Sequence, residues 1–302
     1  MITIENLSKN YGDIHALKDT RLTIPEGVCF GLIGPNGAGK STMMKILCGI
    51  IDQYDGEVKF DEMSVKEDPN WFKKNIGYVP QDIVLYEKFS AISNLSFFGE
   101  MYGLRGKALK ERVEEILVLV GLEKRGKDAV KTFSGGMKRR INIGCALMHN
   151  PKYIIMDEPT VGVDPQSRNY IFEMIHKLKA ENKTILYSSH YMEEVENLCE
   201  EISLIDNGQV IESGKVTDII AKHSKPGVYV EAPGIEESML QQFGGVLKKG
   251  EGFLIQSDQV LILVDALASW LKQESYPVLR LEIAHMSLED IFLLLTGKTL
   301  RD

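Results

Sequence analysis

The run GPNGAGKST, Gly34 to Thr42, fits the pattern G-x-x-x-x-G-K-[ST] in full and follows directly on the apolar stretch Val28 to Ile33. That order predicts strand, loop, helix. Gly34, Gly37 and Gly39 let the backbone turn with its N–H groups pointing inward, so the following helix offers its positive N-terminal end to the phosphates of a nucleotide. Lys40 then reaches the β and γ phosphates. Ser41 supplies a hydroxyl to Mg²⁺, which keeps several waters and takes few protein ligands. The helix is predicted from Met43, Ile46, Leu47 and Ile50, which recur at i, i+3, i+4 and i+7 as one buried stripe.

With 302 residues and 44% hydrophobic content, the chain can bury a sizeable core, and its length suggests about two domains. A net charge of −8 gives no global basic footprint, so no nucleic-acid partner is expected. Cys29, Cys48, Cys145 and Cys199 are scattered singly, without a C-x-x-C pair or a cysteine-histidine cluster at metal spacing, and read as buried free thiols of a reducing compartment. The N-terminal MITIENLSKNYG lacks a charged-then-apolar leader, and no stretch approaches about 18 uninterrupted apolar residues. A cytoplasmic chain is expected, with any membrane role reached through a partner.

Around the loop, Ile2 to Leu7, Thr20 to Ile24, Glu57 to Asp61 and Ile76 to Val79 are predicted strands. Ser90 to Asn150 turns helical, with Leu109, Val113, Ile116, Leu117 and Val120 on one face. Parallel-sheet character returns in Tyr153 to Met156 and Thr184 to Ser188. Between them a helix starts at Asp164 and Pro165, a cap followed by a first-turn proline. Strands alternating with helices around a phosphate loop imply an α/β fold. Ala221 to Gly227 reads as a linker to a small α+β unit over 228–302. That unit's segments are Val228 to Glu231, Glu237 to Phe243, Phe253 to Gln256, Val260 to Gln273 and Val278 to Ile283, closed by Ser287 to Leu295 with a capping-box variant at Ser287 and Asp290.

MDEP, Met156 to Pro159, places adjacent carboxylates at a strand end. In that position Asp157 would hold Mg²⁺ through water while Glu158 polarises the attacking water as a general base. An acidic pair capping a helix is the plainer reading of the dipeptide, and the strand before it and the phosphate loop upstream tip the balance toward chemistry.

TFSGGMKRR, Thr132 to Arg140, then MDEPTVGVDP and SSHYMEE, with the phosphate loop and the Gln81 of VPQD upstream, resemble the ordered motifs of ABC-type ATPases over Met1 to about Lys222. The resemblance implies a P-loop ATPase domain over 1–222 with an antiparallel β subdomain and an inserted helical subdomain at about 90–150. It implies that Gly34, Pro35, Asn36, Gly37, Ala38, Gly39, Lys40, Ser41 and Thr42 cradle ATP, that Tyr11 stacks on adenine, and that Ser41, Gln81 and Asp157 serve Mg²⁺. Glu158, His190, Gln81 and Lys40 then form the catalytic set, His190 touching the γ-phosphate. Ser134, Gly135, Gly136 and Met137 match the signature core that binds the γ-phosphate of ATP held by an opposite subunit, and Asp164 matches the loop through which subunits communicate. One chain thus carries two half-sites, and hydrolysis needs a head-to-tail pair. Phe133 stands where the family has leucine and Met137 where it has glutamine, which removes a polar contact.

The SGGMKRR form resembles ATPases of the drug- and lipid-exporting branch with type-2 permeases, and SLEDIFLLLTG, Ser287 to Gly297, resembles the tail of that branch, read as dimer support or regulation. Lys138, Arg139 and Arg140 read as a solvated helix face. His15, His149, His176, His223 and His285 read as structural. The expected function is the ATP-hydrolysing, energy-coupling subunit of an exporter of drug, antibiotic, lipid or polysaccharide type. It would pair with a second copy or a paralogue on a separately encoded multi-span permease, peripheral to the inner face of the cell membrane. The other class is a soluble ABC ATPase of translation, DNA maintenance or cluster assembly. Against it stand the single nucleotide domain and the lack of a long heptad insertion or zinc cysteines.

Overall fold

The computed structural model describes residues 1–223, 226–284 and 286–297, so Ser224 and Lys225 of the expected linker, His285 and the last five residues lie outside the described part. Contacts divide the chain into two compact units, one over Met1–Val216 and one from Thr217 onward.

The first unit opens with a hairpin, β1 (Ile2–Tyr11) and β2 (Ile14–Ile24), longer than the two short strands expected because pairing continues to Tyr11 and Ile14 at the turn. After β3 (Cys29–Ile33) and α1 (Lys40–Leu47) come β4 (Asp55–Phe60), β5 (Met63–Ser64), α2 (Pro69–Asn75) and β6 (Ile76–Val79). Three helices follow, α3 (Ala91–Met101), α4 (Gly106–Leu119) and α5 (Gly135–Leu147), and form the inserted helical part. The chain then alternates through β7 (Tyr153–Asp157), α6 (Pro165–Ala180), β8 (Thr184–Ser189) and α7 (Met192–Leu198) to the hairpin β9 (Glu201–Asp206) and β10 (Gln209–Lys215).

Two sheets result. One is antiparallel, in the order β2-β1-β4-β5; the other runs β10-β9-β3-β8-β7-β6 and is parallel except at β10. β3, β7 and β8 are buried along their whole length, as expected of strands covered on both faces. One core draws on both sheets and on α1, through Ile4, Phe60, Phe30, Tyr153, Met43 and Leu47. Ile50 departs from the expected stripe and is 57% exposed. Gly49, at φ 66, reverses the chain after Leu47, and its N–H bonds the Ile46 carbonyl, so the helix ends a turn early. α6 begins as expected, with Asp164 accepting the Ser167 N–H at 2.9 Å and Pro165 in the first turn.

The helix α8 (Val216–His223) starts at the division. In the second unit, β11 (Gly227–Glu231), β12 (Gly245–Lys249), β13 (Gly252–Gln256) and β14 (Arg280–Ala284) form an antiparallel sheet in the order β12-β13-β11-β14. The segment expected over Glu237 to Phe243 is α9 (Glu237–Leu240) plus one 3₁₀ turn. α10 (Val260–Gln273) buries Leu263, Leu267 and Leu271 with Val228, Val230 and Ile255. α11 (Leu288–Thr296) carries the full capping box at Ser287 and Asp290.

Candidate functional site

The phosphate loop joins β3 to α1 under tight backbone constraint. A Cβ on Gly34 would lie 2.1 Å from the Ile205 carbonyl oxygen of β9, and Gly39, at φ 107, would drive one to 2.5 Å from the Ala16 oxygen of β2. Both positions therefore require glycine. Lys40 starts the helix and is 5% exposed; its Nζ donates to the carbonyls of Gly34 at 2.7 Å and Pro35 at 3.1 Å and stands 3.9 Å from Glu158 Oε1. Burial lowers its pKa, with Glu158 and Asp157 pulling the other way.

Glu158 lies just past β7, two strands from β3 across β8. It is buried and holds a left-handed backbone, φ 47, a conformation costing roughly 1–3 kcal/mol that persists where the surroundings impose it. Ser188 of β8 imposes it in part. Its Oγ accepts the Glu158 N–H at 2.9 Å and donates to Asp157 Oδ1 at 2.9 Å. Gln81 Nε2 donates to Glu158 Oε2 at 2.9 Å, and His190 Nδ1, buried without a hydrogen-bond partner, stands 3.6 Å from Oε1. Thus Lys40, Gln81, Glu158 and His190, far apart in sequence, meet around one carboxylate.

A cavity of about 440 Å³ opens on Lys40, Gln81 and Glu158 of this cluster, though not on His190, and is lined by Asn36 to Thr42 and also by Ile14, His15, Ala16, Lys18 and Asn207. His15, read as structural, stands in this wall as well. It reaches the wall because β2 pairs back along β1, and Asn10 Oδ1 holds its ring at 2.6 Å. Asn207 arrives on the β9–β10 turn, whose Gly208 N–H donates to the Ala38 carbonyl at 3.0 Å. Tyr11 is not in the wall; its ring is 46% exposed at the end of β1, with Lys9 Nζ 5.0 Å from the centroid.

Ser134, Gly135, Gly136 and Met137 are also outside this cavity. They open α5, where Ser134 Oγ accepts the Met137 N–H at 3.2 Å. Asp164 caps α6 nearby, its carboxyl held below the usual range by the Ser167 N–H and hydroxyl. Gly136 fits tightly against this second cap, since a Cβ there would meet Ser167 Oγ at 2.1 Å and Asp164 Oδ2 at 2.7 Å, whereas one on Gly135 would meet nothing within 4 Å. Gly136→Ala is accordingly expected to lose about 1–3 kcal/mol of stability and to disturb both caps, while Gly135→Ala stays close to the parent. Denaturant midpoints of the two variants check this, and equal midpoints would remove the steric argument.

Arg139 and Arg140 overturn the solvated-face reading. They are 4% and 7% exposed. Arg139 donates to the carbonyls of Pro80, at 3.0 Å, and Gln81, so α5 grips the loop that carries Gln81; Arg140 donates to the Val120 carbonyl at 2.7 Å and lies over the Tyr170 ring. Lys138 alone of the three reaches outward, to Glu87. Their partners are distant in sequence, and the run of charge offers no signal for them.

Comparison with known proteins agrees with this geometry. The family model described as ABC transporter matches residues 17–161. The linearmycin resistance ATP-binding protein LnrL of Bacillus subtilis is 40% identical over the whole of both chains, and a Nod factor export ATP-binding protein I of Ralstonia nicotianae is 34% identical over all of this chain and 95% of its own. Among solved structures, the dimeric ATP-binding cassette MJ0796 in a post-hydrolysis state with ADP and Pi is 29% identical, with a TM-score of 0.64 over 71% of this chain and 98% of that one. With identity of that order running from end to end, this chain belongs to the ATP-binding proteins of ABC transporters and is an ATPase.

Proposed function

We propose that the chain is the energy-coupling ATPase of an exporter, working as a head-to-tail pair of nucleotide domains on a separately encoded multi-span permease. The observation that carries this reading is the similarity to LnrL, a resistance protein, and to Nod factor export proteins along the full length, the second unit included. The expected cargo of drug, antibiotic, lipid or polysaccharide type stays at that breadth, since those names give resistance and export and no more. Two features support the assembly. The signature residues Ser134 and Gly135 are exposed outside the chain's own cavity, available to a nucleotide held by a second subunit. Ile83, Val84, Tyr86, Phe89 and Phe97 form an exposed apolar rim beside Gln81. Asn142 and Asn94 brace that rim through the Val84 and Tyr86 N–H groups, a surface suited to a membrane partner. No helix among the described residues is long and apolar enough to cross a membrane. On this reading the chain reaches the membrane through the permease, from its inner face.

At the site, the loop N–H groups and Lys40 hold the β and γ phosphates, since phosphoryl transfer asks for positioning and charge neutralisation more than covalent work. Gln81 fixes one oxygen of Glu158, leaving Oε1 to take the proton of the attacking water. His190 Nδ1, buried without a hydrogen-bond partner among the described residues and 3.6 Å from Glu158, supports the reading of this residue as the γ-phosphate contact. Hydroxyl, amide and carboxylate oxygens from Ser41, Gln81 and Asp157 fit Mg²⁺, whose chemistry is to neutralise charge on the phosphates. Tyr11, exposed at the end of β1, is the residue read as stacking on adenine, and Asp164, beside Gly136, the one read as serving communication between subunits.

Purifying the tagged full chain from native membranes in mild detergent tests the reading. A multi-span membrane protein should co-purify in stoichiometric amount and change the ATPase rate. Recovery only with ribosomes, nucleic acid or soluble assembly factors would instead support the soluble class and overturn the transporter reading.

A further inference from the structure

Glu194 has no place in the site described above, yet it is 3% exposed, and a carboxylate is costly to bury unless partners surround it. Three hydroxyls converge on its Oε2: Thr160 at 2.7 Å, Tyr187 at 2.7 Å and Ser189 at 3.0 Å. Each hydroxyl has one proton to give, and three protons aimed at a single oxygen specify a carboxylate as the acceptor. Arg168 Nε of α6 stands 3.3 Å from the other oxygen, Oε1.

The donors come from the two segments that carry the reacting groups. Thr160 is two residues beyond Glu158, on the turn that the Val161 N–H closes onto the Glu158 carbonyl. Ser189 immediately precedes His190, and its Oγ also accepts the N–H of Tyr191 at 2.9 Å, so both neighbours of the histidine are fixed through one hydroxyl that is itself fixed by Glu194. Tyr187 bridges the two, its hydroxyl 3.2 Å from Thr160 Oγ1. Burial and then Glu194 push the Tyr187 hydroxyl well above its ordinary pKa, which keeps it a donor.

We propose that Glu194 is a positioning residue for ATP hydrolysis, a buried anionic node that sets the separation and aim of Glu158 and His190. This rests on the roles given to those two residues under the proposed function. The carboxylate is buried and is not part of the cavity wall. It acts by making the turn after β7 and the end of β8 one rigid piece, so that the 3.6 Å approach of His190 Nδ1 to Glu158 is held while ATP comes and goes.

The test is a double-mutant cycle on the full chain, reading kcat, KM for ATP and nucleotide affinity of Glu194→Ala, His190→Ala and the pair. Glu194→Ala should lower kcat by about 100-fold with KM and affinity within about 3-fold, because a misplacement of about 1 Å costs rate more than binding. In the His190→Ala background the same change should cost clearly less, about 10-fold, since one of the two residues it positions is gone and only its effect on the Glu158 turn remains. Glu194→Gln keeps an oxygen acceptor for the hydroxyls and should recover about tenfold of the lost rate. If His190→Ala is slow and Glu194→Ala multiplies that loss undiminished, the proposal fails while the site reading stands. If His190→Ala alone turns over normally, the site reading fails and takes the proposal with it. Should Glu194→Ala not fold, Thr160→Val and Tyr187→Phe each remove one donor; normal kcat in both would overturn the proposal, and losses of about 3- to 10-fold that shrink in the His190→Ala background would sustain it.

Discussion

Glu158→Gln is expected to bind ATP, to accumulate as a closed dimer in its presence, and to hydrolyse it about 100- to 10,000-fold more slowly than the parent, the range a general base contributes. The substitution is close to isosteric, and an amide oxygen can still accept from Gln81 Nε2, so the positive-φ turn and its bond to Ser188 have no reason to move. What disappears is the group that takes the proton, together with a negative charge 3.9 Å from Lys40 and 3.6 Å from His190. Losing that charge leaves the site more favourable to the γ-phosphate, which is why binding and closure should persist while turnover stops. Single-turnover hydrolysis and size-exclusion chromatography with ATP read the two effects separately. A variant within about threefold of the parent rate would remove Glu158 from the role of base.

The parts of this molecule that are legible in its sequence are those whose cause is local. The strand, loop and helix around Gly34 to Leu47 follow from glycine spacing and an apolar run, and α6 from a cap and a proline. The hairpin β9–β10 is absent from the expected elements although Asn207-Gly208 is a strong turn signal; β10 alternates exposed and half-buried residues at the sheet edge and lacks a wholly apolar run. Arg139 and Arg140 mislead for a different reason. Their burial depends on the carbonyls of Pro80, Gln81 and Val120, and nothing within one turn of α5 distinguishes a guanidinium that finds such partners from one that faces water. The surroundings of His15 and Glu194 are likewise set by the fold, since pairing across β1 and β2 brings the first to the cavity and hydroxyls of Thr160, Tyr187 and Ser189 give the second its environment.

Lys40→Ala should weaken ATP binding by about 2–5 kcal/mol, roughly 30- to 5,000-fold in Kd, the cost of truncating one partner of a buried, hydrogen-bonded charge pair. Two terms act in the same direction. The charge-assisted contact to the β and γ phosphates is lost, and Glu158 and Asp157, both buried, are left to face the incoming phosphates without the lysine ammonium beside them. The fold itself should survive. Burial already disfavours the ammonium, and the two carbonyls it leaves, those of Gly34 and Pro35, border a cavity that water can enter. Lys40→Arg separates charge from shape, because a planar guanidinium keeps the charge but cannot occupy the compact seat between those carbonyls, so it should restore little of the affinity. Titration with ATP, alongside far-UV circular dichroism to confirm an unchanged fold, measures the difference. Affinity equal to the parent in a folded Lys40→Ala protein would place the phosphates elsewhere and undo the assignment of the loop as their cradle.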